Sequence, residues 1–162
     1  MANDPVKDSL RKMLIYLTSP YSDPSQYVMD KRFREICRIS NKLIRDGFTV
    51  LSPIAHSHPI VNEGRIDSKL KRVRILGLIT ILVQDTTKEN INDDLSGDFE
   101  TWKEFDLLML KKCSALVIAL MDGWAASKGI VEEIKFAVAN DIPIFLLTDL
   151  EKDGINLLRV NF

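Results

Sequence analysis

The chain has 162 residues, of which 46% are apolar and 28% charged, so it is long enough for a single globular domain with a sizeable core. A formal net charge of −1 provides no basic excess for binding a nucleic-acid polymer, but it does not exclude a small nucleotide. Residues 1–12 show no signal-peptide pattern, and the most apolar stretch, 75–83, is too short to span a bilayer. We therefore expect a cytoplasmic protein without a membrane partner.

The first half of the chain predicts a β-α-β unit. An apolar run at residues 13–17 is typical of a buried parallel strand, and helical spacing follows over residues 28–44. Gly47 is placed to end that helix, and a second short strand follows at residues 48–51, where Ser52-Pro53 is interpreted as the end of the strand. Crossovers of this kind between parallel strands are right-handed.

The second half repeats this alternation of strands and helices. An amphipathic helix begins near residue 99, an apolar strand covers 115–120, and a further helix and strand follow at 129–140 and 142–147. Alternating elements with continuously apolar strands predict an α/β fold with a doubly wound, mostly parallel sheet, a Rossmann- or flavodoxin-like three-layer sandwich.

The remaining segments are assigned by their composition. Residues 1–12 are expected to be a disordered or weakly docked leader, residues 13–150 a single domain and residues 151–162 a tail. After the second strand, residues 54–60 are expected to form a loop. The apolar run at 75–83 fits a helix or a β element equally, because a glycine and several β-branched residues obscure its periodicity.

Common nucleotide and metal signatures are missing from the sequence. The chain has neither the G-x-x-x-x-G-K-[ST] phosphate loop nor a G-x-G-x-x-G turn after its first strand. His56 and His58 alternate, but a metal site needs a third ligand, and no H-E-x-x-H or C-x-x-C motif accompanies them. We expect no metal and no cofactor, and we interpret the histidines as part of a loop or a substrate pocket.

Polar residues follow three of the predicted strands, whose carboxyl ends converge on one crevice. In the last of these segments, Ser127 and Gly129 stand just ahead of a helix, where free backbone N–H groups and a hydroxyl favour an anion such as phosphate. Glu133 lies about one turn into that helix. The same residues also fit a simpler interpretation, in which Ser127 caps the helix and Glu132 and Glu133 complement its dipole.

Several motifs resemble those of the nucleoside 2-deoxyribosyltransferase-like superfamily, which includes nucleotide N-glycoside hydrolases acting on 5′-monophosphates. The opening Ile15-Tyr-Leu-Thr-Ser-Pro-Tyr21 is similar to its first-strand motif, and residues 106–118 are similar to its helix-to-strand segment. Gly123-Trp124 and Ser127-Lys-Gly-Ile-Val-Glu-Glu133 resemble its signature loop and nucleophile helix, in the Ser-x-Gly-x-x-x-Glu form of the monophosphate hydrolases. The resemblance covers residues 13–60 and 99–147 and leaves 61–98 as an insertion or lid.

The resemblance implies a role for each matching residue. Glu133 would be the nucleophile that attacks the anomeric carbon, and Asp106 would be the second carboxylate, which positions or protonates the leaving base. Ser127 and Gly129 would hold the 5′-phosphate, while Glu132 would face solvent. The further substrate-binding residues expected at the strand ends are Tyr16, Ser19, Pro20, Tyr21, His56, Asp122 and Trp124.

The expected function is therefore hydrolysis of the N-glycosidic bond of a ribo- or deoxyribonucleoside 5′-monophosphate through a covalent glycosyl-Glu intermediate. The alternatives are a nucleoside 2-deoxyribosyltransferase that exchanges bases and a non-catalytic nucleotide-binding module. Members of the superfamily are usually dimers or larger, so the resemblance also implies a homo-oligomer, with Asn161 and Phe162 at the chain end as candidates for completing a neighbour's pocket.

Overall fold

The computed structural model describes residues 4–64, 71–75, 79–83, 95–149 and 155–160. The helices are α1 (Pro5–Arg11), α2 (Gln26–Arg45), α3 (Pro53–Gly64), α4 (Phe99–Lys112) and α5 (Lys128–Ala139). The strands are β1 (Leu14–Thr18), β2 (Thr49–Leu51), β3 (Lys71–Ile75), β4 (Ile79–Val83), β5 (Ala115–Ala119), β6 (Ile144–Asp149) and β7 (Asn156–Val160). A short 3-10 helix, Trp124–Ala126, joins β5 to α5.

The central sheet has the strand order β2-β1-β5-β6-β7. Its first four strands are parallel, and β7 pairs antiparallel with β6. The predicted α/β fold with a doubly wound, mostly parallel sheet is therefore confirmed. The chain leaves β1 towards β2 on one side and later returns to the other side of β1 with β5, so the switch point lies between β1 and β5, where ligand crevices form in such sheets.

The sheet separates two apolar cores because side chains alternate between its faces along each strand. Ile15 and Leu17 of β1 lie in the core shared with α1 and α2, while Tyr16 lies in the core shared with α4 and α5. All three side chains are fully buried. Residues of β1 with even numbers therefore face α4 and α5, and this parity decides which side chains reach the site described below.

The first helix decides between a disordered and a docked leader. In α1, Asp4 caps the helix by accepting a hydrogen bond from Val6 N at 3.0 Å, and Pro5 stands at the first helical position, where no backbone donor is needed. Leu10 is buried in the core, and the Arg11 guanidinium lies 2.6 Å from the Asp46 carboxylate at the end of α2. Residues 5–11 of the expected leader thus form a docked helix.

Helix α3 corrects the expected loop at residues 54–60. The Ser52 hydroxyl accepts a hydrogen bond from Ala55 N at 3.4 Å, and Pro53 occupies the first helical position. Pro59 lies inside the helix, because a proline there removes one hydrogen bond without always ending the helix. The pair Ser52-Pro53 was therefore a helix start signal that was interpreted as a strand end.

Two further segments adopt β structure. Most of the ambiguous run at 75–83 supplies β4, which pairs antiparallel with β3 in a separate two-stranded sheet, with Val73 opposite Ile81. The expected tail at 151–162 supplies β7, whose pairing with β6 runs from Ile144↔Val160 to Asp149↔Asn156. Asn161 and Phe162 lie outside the described residues. Within the described part of the chain, none of the helices has the length and apolar character needed to cross a bilayer.

Candidate active site

Two hydroxyl groups on β1 hold the carboxylate of Glu133. Tyr16 donates a hydrogen bond from its hydroxyl to Glu133 Oε1 at 2.7 Å, and the Thr18 hydroxyl donates to Oε2. Tyr16 and Thr18 are two residues apart on one strand, so both point to the face of the sheet that α5 covers. Glu133 itself is only 3% exposed. One strand and one helix thereby fix both oxygens of a buried acid.

Asp106 on α4 is the second buried acid of the site. It is 5% exposed, and its Oδ1 atom has no hydrogen-bond partner within the described residues. Burial raises the pKa of Asp106 to about 7, because an ionised carboxylate is poorly solvated there. A buried carboxyl oxygen without a partner is costly in a folded protein, so its position suggests that a ligand or solvent completes it.

Burial also raises the pKa of Glu133 to about 7. The hydrogen bonds from Thr18 and Tyr16 act against this rise because they stabilise the ionised form, and the charge of Asp106 adds to it. Two acids with pKa values near neutrality, on facing elements, are typical of a site that moves protons. The same arrangement raises the pKa of the Tyr16 phenol, chiefly through burial, so Tyr16 stays protonated and remains a donor.

Glu133 and Asp106 both line a cavity of about 660 Å³ at the carboxyl ends of β1 and β5. Its volume is within the range of small-molecule sites. Thr18 and the two acids supply polar groups, while aromatic and aliphatic side chains supply apolar area. The apolar part of the wall includes Pro20, Pro53, Ile54, Phe99, Trp102 and Ile130.

The start of α5 forms one side of the cavity. Ser127 is the N-cap of α5, and its hydroxyl accepts a hydrogen bond from Ile130 N at 3.5 Å. A Cβ atom on Gly129 would lie 3.1 Å from the Phe99 ring, so the glycine allows the aromatic ring to approach the helix closely. Both residues line the cavity as expected, but the Ser127 hydroxyl already serves the helix. The capping interpretation of Ser127 is therefore correct as a structural role.

Arg32 on α2 supplies a cation to the same wall. Its Nη1 atom donates to the carbonyl oxygens of Tyr21 at 3.1 Å and Ser22 at 3.0 Å, and it lies 3.7 Å from the Asp23 carboxylate. Gly123 has a φ of +84°, and a Cβ atom there would lie 2.9 Å from Arg32 Nη2. Glycine is thus favoured by the backbone conformation, and any larger residue would also displace the guanidinium of Arg32.

The expected site residues divide into two groups. The cavity brings together Asp106, Glu133, Ser19, Pro20, Tyr21, Ser127 and Gly129, and Tyr16 stands directly behind Glu133. Ser19 is buried, and its hydroxyl has no hydrogen-bond partner among the described residues, which leaves it available to a ligand. Glu132 lies 2.7 Å from Lys135 Nζ on the outer side of α5, so its expected solvent-facing position is correct.

Three expected substrate contacts do not line the cavity. His56 is exposed on α3 and stacks on Phe105, with ring centroids 5.2 Å apart. Asp122 is exposed in the turn after β5, and Trp124 packs against the core beneath α4 and α5. His56 was misplaced because residues 53–64 form a helix, which turns Ile54 and Ser57, instead of His56, towards the cavity.

His58 lies buried between α2 and α3 and connects them to the cavity wall. Its Nδ1 atom is 2.8 Å from the Tyr21 hydroxyl, its Nε2 atom is 2.7 Å from Asn62 Nδ2, and its ring stacks on Phe33 with centroids 3.9 Å apart. An amide nitrogen can only donate, so Nε2 accepts and the ring proton sits on Nδ1. Burial lowers the pKa of His58. Among the described residues, no group of three or more His, Cys, Asp or Glu side chains is placed to hold a metal ion.

Sequence reasoning missed several residues of the cavity wall. Thr18 was detectable, because it stands two positions after Tyr16 on a predicted strand and shares its face. Trp102 and Phe99 were recognised only as part of an amphipathic helix, and Arg32 lies in a helix whose register against the sheet no sequence pattern reveals. Lys128 was overlooked between two residues that had been assigned to phosphate.

Comparison with known proteins gives one assignment. None of the curated proteins is a significant match to the chain. The family model described as "Domain of unknown function (DUF1937)" matches residues 13–77 and 80–149. Most of the segment 61–98, expected to be an insertion or lid, falls within this match and so belongs to the family's own domain. Because the matched residues make up most of the chain, the protein belongs to the DUF1937 family.

Proposed function

We propose that this protein hydrolyses the N-glycosidic bond of a ribo- or deoxyribonucleoside 5′-monophosphate and releases the base and the sugar phosphate. The observation that carries the proposal is the presence of two buried carboxyl groups, Glu133 and Asp106, on the wall of one cavity at the switch point of the sheet. Glycosidic bonds are commonly cleaved by two carboxyl groups, one acting as nucleophile and the other as acid.

Hydrogen bonding supports a division of roles between the two acids. Glu133 accepts hydrogen bonds from two hydroxyls, which favours its ionised form, whereas Asp106 Oδ1 accepts none among the described residues. When two interacting acids share one proton, the acid without donors keeps it. Glu133 is therefore suited to be the nucleophile and Asp106 the proton donor.

The proposed reaction has two steps. In the first, Glu133 attacks the anomeric carbon, the carbon–nitrogen bond breaks, and the base leaves with the bond's electron pair and a proton from Asp106. In the second, the Asp106 carboxylate takes a proton from water, and the hydroxide oxygen attacks the anomeric carbon. Glu133 departs as a carboxylate, and the sugar phosphate is released with Asp106 protonated again.

The cavity wall also offers groups for the rest of such a substrate. Arg32, Lys128 and the amino end of α5 supply positive charge for a 5′-phosphate. Phe99 and Trp102 supply flat apolar surface for a base. The Ser19 hydroxyl, which has no partner among the described residues, suits a sugar hydroxyl.

A second candidate is a nucleoside 2-deoxyribosyltransferase, in which another base attacks the glycosyl-Glu intermediate in place of water. Two observations favour it. The Ser127 hydroxyl is engaged in capping α5, and carboxyl groups outnumber cations in the described wall, since Asp23, Asp98 and Glu100 lie beside the two central acids. An uncharged nucleoside would tolerate such a wall better than a monophosphate would.

Base release is the test of the enzymatic proposal. The protein is incubated with a panel of nucleosides and their 5′-monophosphates, with and without a second free base, and the products are separated by chromatography. We expect free base from at least one monophosphate without an added acceptor. Glu133→Gln should abolish release, whereas Glu132→Gln, one position away on the same helix, should leave it unchanged. Product formed only when an acceptor base is present would establish the transferase instead.

The third alternative, a nucleotide-binding module without turnover, predicts a different result from the same panel. Calorimetry would then detect nucleotide binding while chromatography detects no free base from any compound. Two further expectations remain part of the proposal: a cytoplasmic location and, from the resemblance, a homodimer or larger homo-oligomer. Light scattering coupled to size-exclusion chromatography measures the oligomeric state.

A further inference from the structure

The two oxygens of Glu133 differ in their surroundings. Oε1 accepts a hydrogen bond from Tyr16, which is fully buried and does not line the cavity. Oε2 accepts a hydrogen bond from Thr18, which stands at the end of β1 and does line the cavity. Oε1 is therefore the interior oxygen, and Oε2 is the one that a ligand in the cavity can approach.

We propose that Thr18 is a positioning residue for the reaction, which holds Glu133 Oε2 as the attacking atom while Tyr16 anchors the opposite oxygen. This inference rests on the proposed function. A carboxylate on a flexible side chain rotates about its last bond, and a hydrogen bond at each oxygen removes that freedom. With both bonds present, one defined oxygen faces the substrate.

Three side chains of the described residues act on the ionisation of Glu133. Tyr16 and Thr18 come from β1 and Asp106 comes from α4, and these side chains determine its ionisation together with its burial. Tyr16 and Thr18 favour the carboxylate, while burial and the charge of Asp106 oppose it. Removing the Thr18 hydroxyl therefore has two separable effects: Glu133 binds a proton more tightly, and its ionised form is less well oriented.

The test compares two variants at one position. Thr18→Val keeps the shape of the side chain and removes its hydroxyl, whereas Thr18→Ser keeps the hydroxyl. The titration of Glu133 is followed by infrared difference spectroscopy of its carboxyl band, with Glu133→Gln as the reference for the assignment. In Thr18→Val we expect the titration to move upward by about one pKa unit, a tenfold change in the ionisation constant, and in Thr18→Ser to stay close to that of the parent protein.

The kinetic readout is the pH profile of base release. We expect the acidic limb of kcat/KM to move upward with the titration in Thr18→Val. We also expect kcat of Thr18→Val to be about 10- to 100-fold below that of the parent protein at the same pH, including at alkaline pH, where Glu133 is ionised in both. In Thr18→Ser, the pH profile and kcat should both be close to those of the parent protein. A thermal melt of each variant establishes that it is folded.

The outcomes separate the two proposals. An unchanged titration in folded Thr18→Val, or a wild-type pH profile and kcat, would overturn the role of Thr18. A shifted titration in a protein that releases no base from any nucleotide would reject the proposed function and retain Thr18 as the group that controls the ionisation of Glu133. Equal loss in Thr18→Val and Thr18→Ser would point to the shape of the strand instead of the hydroxyl, and would also overturn the inference.

Discussion

At the scale of single residues, the site is dominated by the cost of burying acids. Glu133 is 3% exposed and Asp106 is 5% exposed, and burial raises the pKa of each to about 7. No cation is paired with either carboxyl group among the hydrogen bonds and ion pairs of the described residues. Such an arrangement lowers the stability of the folded protein in exchange for acids that titrate near neutral pH.

Glu133→Gln should stabilise the protein at alkaline pH. The folded pKa of about 7 lies above the usual value of 4.5, so the folded state binds the extra proton between these pH values and loses stability as the pH rises through them. Glutamine carries no such penalty, and we expect a gain of about 1–3 kcal/mol in the free energy of unfolding at pH 8. Urea denaturation at pH 8 and pH 4.5 measures it.

The gain should disappear at pH 4.5, because Glu133 is then neutral in the folded protein. Glu132→Gln is the matched control: its carboxylate is paired with Lys135 on the outside of α5 and should show no gain at pH 8. If Glu133→Gln and the parent protein are equally stable at pH 8, the buried Glu133 carboxylate does not lower the stability of the folded protein.

Asp106→Asn should change the alkaline side of the activity profile. If Asp106 protonates the leaving base, activity declines as this group ionises near pH 7, because burial raises its pKa to about 7. The asparagine variant has no proton to donate, so kcat/KM at pH 6 should fall by about 10²- to 10⁴-fold and the alkaline limb should vanish. Initial rates of base release from pH 5 to pH 9 provide the measurement. Retention of the limb would assign it to another group.

At the scale of elements, two glycines with positive φ have different consequences. Gly47 follows α2 with a φ of +91°, and a Cβ atom there would be 3.7 Å from the Arg11 side chain, an ordinary contact. Gly123 has a φ of +84° in the turn after β5, and its Cβ atom would be 2.9 Å from Arg32 Nη2. The first position requires glycine for its backbone alone, and the second also requires space for a cation of the cavity.

Gly123→Ala should therefore weaken substrate binding as well as stability. The left-handed conformation costs about 1–2 kcal/mol in either glycine-to-alanine variant. We expect KM for a 5′-monophosphate to rise in Gly123→Ala, because Arg32 is displaced from the wall, while KM for the matching nucleoside stays nearly constant. In Gly47→Ala both KM values should equal those of the parent protein. If both KM values of Gly123→Ala rise by the same factor, Arg32 does not contribute to phosphate binding.

At the scale of the whole molecule, His58 connects parts of the fold that are distant in sequence. It joins the loop after β1 to α3 through Tyr21 and Asn62, and it stacks on Phe33 of α2. Asp30 of α2 lies 3.7 Å from Nε2. The network requires a neutral His58 ring, because Nε2 accepts a hydrogen bond from the Asn62 amide. If Nε2 were protonated, its N–H group would face the Asn62 N–H group, and both would be donors.

His58→Gln should reduce stability most at alkaline pH. Burial lowers the folded pKa of His58 below the usual 6.5, so the unfolded state binds the proton first, and the stability that neutral His58 contributes is lost as the pH falls through this window. The difference in melting temperature between the parent protein and His58→Gln should thus be largest near pH 8 and shrink below pH 6. His56→Gln, on the exposed face of the same helix, should melt like the parent protein at every pH.

The sequence by itself determined the four parallel strands of the central sheet, because these strands are short apolar runs, whereas β7 lies in the segment that was expected to be a tail. It also indicated Glu133 as a site candidate, whereas the choice of Asp106 and the roles of both acids came from a resemblance, and those roles remain predictions. The signals that failed were local: Ser52-Pro53 indicated a strand end and begins α3, and the first twelve residues indicated a leader and supply α1. In each case a capping residue and a proline at the first helical position were present but outweighed by composition.

Only the tertiary structure decided which side chains share the cavity. Thr18 meets Glu133 because β1 lies beside β5 and under α5, a contact across 115 residues of sequence. The orientation of α2 against the sheet places Arg32 in the cavity wall, whereas the orientation of α3 keeps His56 out of that wall. Hydrophobic patterning in the sequence specifies which face of a helix or strand is buried. Which polar side chain at the edge of that face points into the cavity depends on how neighbouring elements pack, and those contacts join segments that are distant in sequence.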